Sequence, residues 1–372
     1  MKRSKIVLFL PFLQIPSGHH QAANALIDGI QSIHSHIRCE KVDILSYSYG
    51  RVEFFISKIY LKWIRIFPSF YNLIYQTSVY KNIEHNKRFW VYEMLFIPFI
   101  KKLIKEKQPD LIVCTHSLPA YMLNYLKGKS EVSIPVINVY TDYFIHRFWG
   151  IEHIDYHFVP SLQMKKFLNE KGISDERIII TGIPIHSKIK KQREKTGSRT
   201  PSMPSVLISA GNLGVGGIEK LILNIAEGKS DHRIQYYVLC GKNINLYEKL
   251  AGMQKNHIVP FPYISCREKM NELYEKADAI LTKPGGVTVS ESIFKRKPIF
   301  IYDALPGQEE INLKKLKDLG LVFPLDKQDI PGQLYSILQN FDERDTYQNQ
   351  VAKYHSFIND KEPSEIIAEI IK

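Results

Sequence analysis

The chain has 372 residues, more than one hydrophobic core usually serves, so two domains are expected. Its 44% hydrophobic content is that of a globular protein and excludes a disordered chain, and no run approaches the roughly 18 consecutive apolar residues that span a bilayer. A formal net charge of +12 favours a negatively charged partner surface, while Cys39, Cys114, Cys240 and Cys266 lack CxxC spacing and fit a reducing cytoplasm rather than a disulfide framework or zinc site.

The first element is the apolar run Ile6 to Leu13, IVLFLPFL, behind Lys2, Arg3 and Lys5. It has the outline of a signal-peptide core, but it is short, interrupted by Pro11 and without a small-residue cleavage site. A buried strand over Ile6 to Leu10 is the better reading. Gly18, His19 and His20 then open a helix whose apolar face holds Ala22, Ala23, Leu26, Ile27 and Ile30. An imidazole here titrates near working pH and suits proton transfer; a surface place in a first helical turn is the competing reading. From Arg51 to Lys107 the chain is crowded with aromatics, among them Phe54, Tyr60, Trp63, Phe70, Trp90 and Phe96, and with basic residues such as Lys58, Arg65, Arg88 and Lys101. That chemistry suits an interfacial contact with anionic lipid; packed helices with solvated lysines are the alternative.

Further strands are expected at Leu111 to Thr115, Val136 to Tyr140, Tyr156 to Val159 and Arg177 to Thr181. His116 follows one of them. Asp142 is read as ending the strand VINVYT, with His146 one helical turn later; a carboxylate there either orients a base, binds an acceptor, or caps the next segment. The polar stretch 188–205 reads as a linker between a first domain, 1–187, and a second, 206–345.

The second set of strands is expected at Val206 to Ser209, Gln235 to Leu239, His257 to Val259, Ala279 to Leu281 and Pro298 to Tyr302, so the chain reads as two parallel α/β domains. Between the last two strands, Thr282 to Ser292 spells TKPGGVTVSES. Gly285 and Gly286 let a ligand approach the backbone, and the helix they open points free N–H groups and a positive dipole end at a diphosphate. Glu291 on that helix suits a ribose diol. The loop Pro306 to Asn312, PGQEEIN, lies at the carboxyl end of the following strand, where Gln308, Glu309 and Asn312 face the same crevice and suit a hydroxyl-rich ligand. Ordinary turn chemistry and a solvated helix start are the bland alternatives.

These two motifs together resemble the carboxyl-terminal signature of glycosyltransferase family 28, in the branch of bacterial diacylglycerol glucosyltransferases and plastid monogalactosyldiacylglycerol synthases. The pattern TKPGG-x-T-x-x-E followed by PGQE-x-x-N is met without a gap, including Lys283 and Thr288. Thr141 to Trp149, Thr181 to Ile185 and Gly18-His19 are similar to further signatures of that branch. The resemblance implies a GT-B fold, two Rossmann-like parallel α/β domains facing a cleft, with segment 346–372 returning to the first domain. It places the donor on the second domain, where Gly211, Asn212 and Gly214 of GNLGVGG line the diphosphate and Tyr263 and Ile264 hold the uracil. Core packing is the competing role for Tyr263 and Ile264.

The same resemblance implies an inverting transfer of hexose from UDP-glucose or UDP-galactose, with His19 as base and Asp142 supporting it. Gly18, His116 and His146 fall on the acceptor side, and the acceptor is a lipid, diacylglycerol or a glycosyldiacylglycerol, met at the inner membrane face. Absence of a DxD triplet and of HExxH leaves no metal or cofactor expected. Nucleic acid is not expected either, since no zinc finger, RNP-type motif or recognition helix is found. Three other readings stay open: a soluble or polyprenyl-linked acceptor, a nucleotide-sugar 2-epimerase, and a UDP-sugar sensor, the last prompted by the glycine-poor loop Ile15 to Gly18.

Overall fold

The computed structural model describes residues 4–12, 17–50, 88–192, 203–209, 218–227 and 234–372. Four expected features lie outside the described residues in whole or in part: Ile15 and Pro16 of the first loop, 51–87 of the aromatic and basic segment, 193–202 of the linker stretch, and the GNLGVGG loop, 211–217. The chain divides into two compact units, Met1–Ser187 with Pro306–Gln308 and Phe357–Lys372, and Lys188–Leu305 with Glu309–Ser356.

In the first unit the strands are β1 (Ile6–Leu10), β2 (Arg38–Lys41), β3 (Leu111–Cys114), β4 (Val136–Val139), β5 (Tyr156–Val159) and β6 (Ile178–Ile180), all parallel and in the order β2-β1-β3-β4-β5-β6. β3 and β4, LIVC and VINV, are buried at every position. Helices cover both faces, which is why these strands read as continuous apolar runs rather than as alternations. Leu8, Leu10, Ile112, Cys114 and Val136 enter one core with Ile100 and Leu103 of helix Trp90–Lys107 and Leu123 of helix Ser117–Gly128. Their neighbours in the pleat, Val7, Phe9, Leu111, Val113 and Ile137, enter the opposite core with Leu26 and Ile30 of helix Gly18–Ile33 and Ile367 of helix Pro363–Ile370.

That last helix is started by Pro363 at its first turn and by a reciprocal cap between Glu362 and Glu365. It lies so close to helix Gly18–Ile33 that a Cβ on Gly29 would sit 2.7 Å from Ser364 Oγ and 2.8 Å from Ser364 Cβ. Asn359 N–H, just before it, donates to the Ile180 carbonyl on β6 at 2.8 Å.

The second unit holds β7 (Ser205–Ser209), β8 (Gln235–Leu239), β9 (Ile258–Phe261), β10 (Ala279–Thr282), β11 (Ile299–Ile301) and β12 (Phe323–Pro324), again all parallel, in the order β12-β11-β10-β7-β8-β9. Both sheets are therefore doubly wound, and the strand order reverses between β1 and β3 in one and between β7 and β10 in the other. Such reversals leave a crevice outside the carboxyl ends of the two strands. β2 and β12 escape the sequence reading because neither carries an apolar run. β2 is RCEK, with no apolar run, and β12 is two residues long.

The loop after β4 corrects one expectation. β4 ends at Val139, so Asp142 lies beyond the strand rather than ending it, and 141–150 is irregular, so His146 is not one helical turn on. Asn138 explains the course of this loop: buried in β4, it donates through Nδ2 to the Gly150 carbonyl at 2.8 Å. A Cβ on Gly150 would meet Asn124 Cβ at 2.2 Å, so the loop is drawn tightly onto helix Ser117–Gly128.

Candidate active site

The reversal in the first unit brings three chain segments together. The register pairs Leu10 with Cys114 and Cys114 with Asn138, so β1, β3 and β4 end nearly level. His19 enters from the first turn of the helix that follows β1, while Thr115 and Thr141 stand just past β3 and β4. His19 Nδ1 lies 2.7 Å from the Thr115 carbonyl oxygen and 2.8 Å from Thr141 Oγ1. A carbonyl only accepts, so Nδ1 carries the proton and shares it with the threonine oxygen. In the neutral ring the lone pair is then on Nε2.

Burial holds the His19 imidazole below its ordinary pKa; the negative charge of Asp142 and the Thr115 carbonyl pull it back up, and His20 pushes it down slightly. His19 therefore stays a neutral base at neutral pH. His20 lies with Nε2 3.9 Å from Asp43 Oδ2.

His116 and His146 border the same place in the opposite protonation pattern. His116 is the N-cap of helix Ser117–Gly128, with Nδ1 accepting from Leu118 N–H at 3.1 Å and its ring edge-on to His19 at 4.7 Å between centroids. His146 Nδ1 accepts from Phe148 N–H at 3.2 Å. Each imidazole thus keeps its proton on Nε2. Burial, reinforced by the neighbouring histidines, holds His116 well below its ordinary pKa, and burial together with His19 takes His146 down to about 3. At neutral pH both are neutral N–H donors and not bases. Asp142 is nearly buried, and Gln308, which clusters with this unit, donates to it through Nε2 at 2.7 Å.

At the reversal in the second unit the arrangement is different in kind. Thr282 Oγ1 donates to the Ser209 carbonyl at 3.4 Å, tying the ends of β10 and β7. Past β10, helix Gly286–Phe294 starts with Gly285 as N-cap, with no side chain capping it and no carboxylate in its first turn. Gly285 has φ −82°, an angle any residue adopts, and a Cβ built on it meets nothing within 4 Å. Glycine is not needed there for the turn; it leaves the space before the helix clear. An uncapped helix start with clear space in front has free N–H groups that can receive an anion. Lys283 and Thr288 flank it, half-buried.

Glu291, further along this helix, is buried and accepts from Tyr274 Oη at 2.8 Å on its Oε2. Burial raises its carboxyl pKa and the tyrosine bond opposes that rise. In the PGQEEIN loop, Gly307 has φ +95°, which does require glycine. Glu309 folds back to accept from Leu305 N–H at 2.6 Å, and Asn312 is buried. Tyr263 follows β9 and is 48% exposed under the Lys242 ammonium, 5.7 Å from the ring centre, which removes the core reading of that tyrosine. Gly211, Asn212 and Gly214 lie outside the described residues. Among the described residues, no group of three or more His, Cys, Asp or Glu side chains is arranged to hold a metal ion.

Thr115, Thr141 and Tyr274 were not singled out from sequence. For the two threonines a signal exists in retrospect: each closely follows an apolar run that becomes a central parallel strand. Tyr274 carries no local signal, since it sits inside a charged helix.

The family profile of monogalactosyldiacylglycerol (MGDG) synthase matches residues 19–185. An uncharacterized glycosyltransferase of Bacillus subtilis, YkoN, is 40% identical over 99% of this chain and 97% of its own. A processive diacylglycerol beta-glucosyltransferase of Bacillus pumilus is 27% identical over 95% of this chain and 92% of its own. Among solved structures, Acinetobacter baumannii MurG superposes with a TM-score of 0.61 over 99% of both chains at 14% identity, a likeness of fold.

Proposed function

The chain belongs to glycosyltransferase family 28, in the branch of the diacylglycerol glycosyltransferases, and on that premise we propose that it transfers a hexose, with inversion, from a UDP-sugar to the hydroxyl of diacylglycerol or a glycosyldiacylglycerol. The observation that carries the proposal is His19, a half-buried neutral imidazole whose Nδ1–H is engaged and whose lone pair is therefore on Nε2.

Nε2 takes the proton of the acceptor hydroxyl as its oxygen attacks the anomeric carbon. The bond to the β-phosphate oxygen breaks, and its electron pair leaves with UDP. The negative charge that develops there is stabilised by the N–H groups at the uncapped start of helix Gly286–Phe294, with Lys283 beside it. One oxygen of Glu291 is held by Tyr274, and the carboxylate accepts from the ribose diol. Gln308, Glu309 and Asn312 bind the sugar hydroxyls, and Tyr263 with Ile264 bounds the uracil. His116 and His146, neutral donors, bind the acceptor oxygen and cannot compete for its proton.

The acceptor is met at a membrane surface. No helix among the described residues is long and apolar enough to cross one. Helix Trp90–Lys107 instead exposes Trp90 at 65% and Met94 at 64%, with Val91, Tyr92 and Leu95 beside them, and carries Lys101, Lys102 and Lys105 further along. Exposed aromatic and aliphatic side chains followed by lysines suit insertion among anionic headgroups.

The test is to incubate the protein with radiolabelled UDP-glucose or UDP-galactose and anionic vesicles containing diacylglycerol, then extract into organic solvent. Label in the organic phase that is lost in His19→Ala and Glu291→Ala is the expected result and names the donor. Label that stays aqueous as an epimerised nucleotide sugar, or as free UDP-sugar bound without turnover, would sink the lipid-transfer reading.

A further inference from the structure

We propose that Thr141 is a positioning residue for the base: together with the Thr115 carbonyl, its hydroxyl holds His19 in the Nδ1–H form and so keeps the reactive lone pair on Nε2. The proposal rests on the reading of His19 as the base. One acceptor is enough to draw a proton to Nδ1, but it leaves the ring free to swing about that bond. Two acceptors, at 2.7 and 2.8 Å and from neighbouring strand ends, define the direction of the N–H. A ring flipped by half a turn would put a carbon where Nδ1 is and lose both bonds.

Thr141 is suited to this by its own setting. It is 4% exposed, two residues beyond β4, where its backbone is fixed by the sheet on one side and by the tightly drawn 141–150 loop on the other. The bond also changes strength during the reaction. When Nε2 takes the acceptor proton the ring becomes a cation, and a cationic N–H donates more strongly than a neutral one. Thr141 therefore favours the imidazolium that forms as the glycosidic bond is made. The proton is then released to solvent, which returns the ring to its starting state.

The charged and titratable groups around His19 are His20 on its own helix, His116 at the start of helix Ser117–Gly128, and Asp142 and His146 on the loop after β4. Asp142 supplies charge and Thr141 supplies direction, so their removal is distinguishable. Losing the Thr141 acceptor makes the imidazolium less favourable, which lowers the pKa of the base and moves the acid limb of the rate profile to lower pH.

The experiment compares Thr141→Val, Thr141→Ser and His19→Ala in single-turnover glycolipid formation across pH, with UDP affinity and thermal midpoint measured alongside. Thr141→Val is expected to keep UDP affinity, to lose about three- to tenfold in rate at its plateau, and to shift the acid limb downward; Thr141→Ser restores both. A Val variant with the parent rate, or a slower one with an unmoved limb, overturns the proposal while a dead His19→Ala leaves the base reading standing. A His19→Ala that turns over like the parent overturns both. Nitrogen NMR of the histidine rings in the parent protein is the second check: His19 must show a protonated Nδ1 and an unprotonated Nε2, and the reverse tautomer refutes the assignment even if the Val variant fails to fold.

Discussion

The two strand-order reversals differ in what they present to a ligand. In the first unit, the crevice outside β1 and β3 is furnished by side chains that titrate or accept protons: His19, His116, His146 and Asp142, with Thr115 and Thr141 setting the tautomer. In the second, the crevice outside β7 and β10 is furnished by backbone, an uncapped helix start behind a glycine with clear space in front. On the proposed function, one gives a proton a definite place to go, and the other meets a fixed negative charge without any proton moving. A single topological device thus serves two chemical purposes, and the residues on the few positions after each strand decide which.

The largest expected effect breaks the first of these arrangements. His19→Gln keeps a polar side chain but no base, and the transfer rate is expected to fall by about a thousandfold while UDP binding stays within twofold, as read by single-turnover kinetics and calorimetry. Equal losses in both would mean that the histidine serves the fold or the donor instead.

Gly285→Asp addresses the second arrangement and makes two quantities move in opposite directions. The carboxylate supplies the missing N-cap and faces the positive end of the helix, so the thermal midpoint should rise, by about 0.5 kcal/mol in stability. The same carboxylate stands where the diphosphate is proposed to bind, so UDP affinity should fall about tenfold or more. Gly285→Ala, with open space for its Cβ and an ordinary φ, should leave the thermal midpoint unchanged and lower UDP affinity less than the Asp variant does. If UDP binds the Asp variant unchanged, the helix start is not the diphosphate site.

A third variant tests the frame under the first crevice rather than its chemistry. Gly29→Ala forces a methyl group against Ser364, whose Cβ cannot rotate away, and should cost about 1–3 kcal/mol of stability in the first unit with no change in UDP affinity. Ser364→Gly in the same chain should recover most of it, whereas Ser364→Ala should not.

The smallest effect is a pH dependence. His157 is fully buried in β5, its Nδ1 2.9 Å from Tyr140 Oη, and burial takes its pKa down to about 3. Its pKa is lower folded than unfolded, so its neutral form belongs to the folded state. Stability is intact above the unfolded value near 6.5 and is lost as pH falls from there toward about 3. Going from pH 7.5 to 5.5 should cost on the order of 1 kcal/mol for this residue. Denaturant melts of His157→Phe against the parent check it: the variant's dependence should be flatter, and an identical slope would assign the acid sensitivity elsewhere.

The parallel α/β class was legible because it rests on local patterns. Central strands such as LIVC, VINV and AILT are buried at every position and so read as largely apolar runs, and turns such as PGQ must hold a glycine where φ is positive. Of the four edge strands, β6 and β9 carry apolar residues and were legible, whereas β2, RCEK, and the two-residue β12 leave no pattern to read. The course of the chain after β4 escaped for another reason. Where Asp142 and His146 stand depends on Asn138 reaching Gly150 and on Gly150 pressing against Asn124, contacts that no local window contains.

By itself, then, the sequence determined the two parallel sheets, the family, and which histidine and which glycines stand after which strands, since each of these is written in a short stretch of chain. Only the tertiary structure decided what those residues meet. His19 finds Thr115 and Thr141 across separations of 96 and 122 residues because the strand order sets β1, β3 and β4 side by side. The tautomer of His19 and the lowered pKa values of His116 and His146 follow from that convergence and from the burial it brings, which are properties of the packed sheet end and not of any one segment.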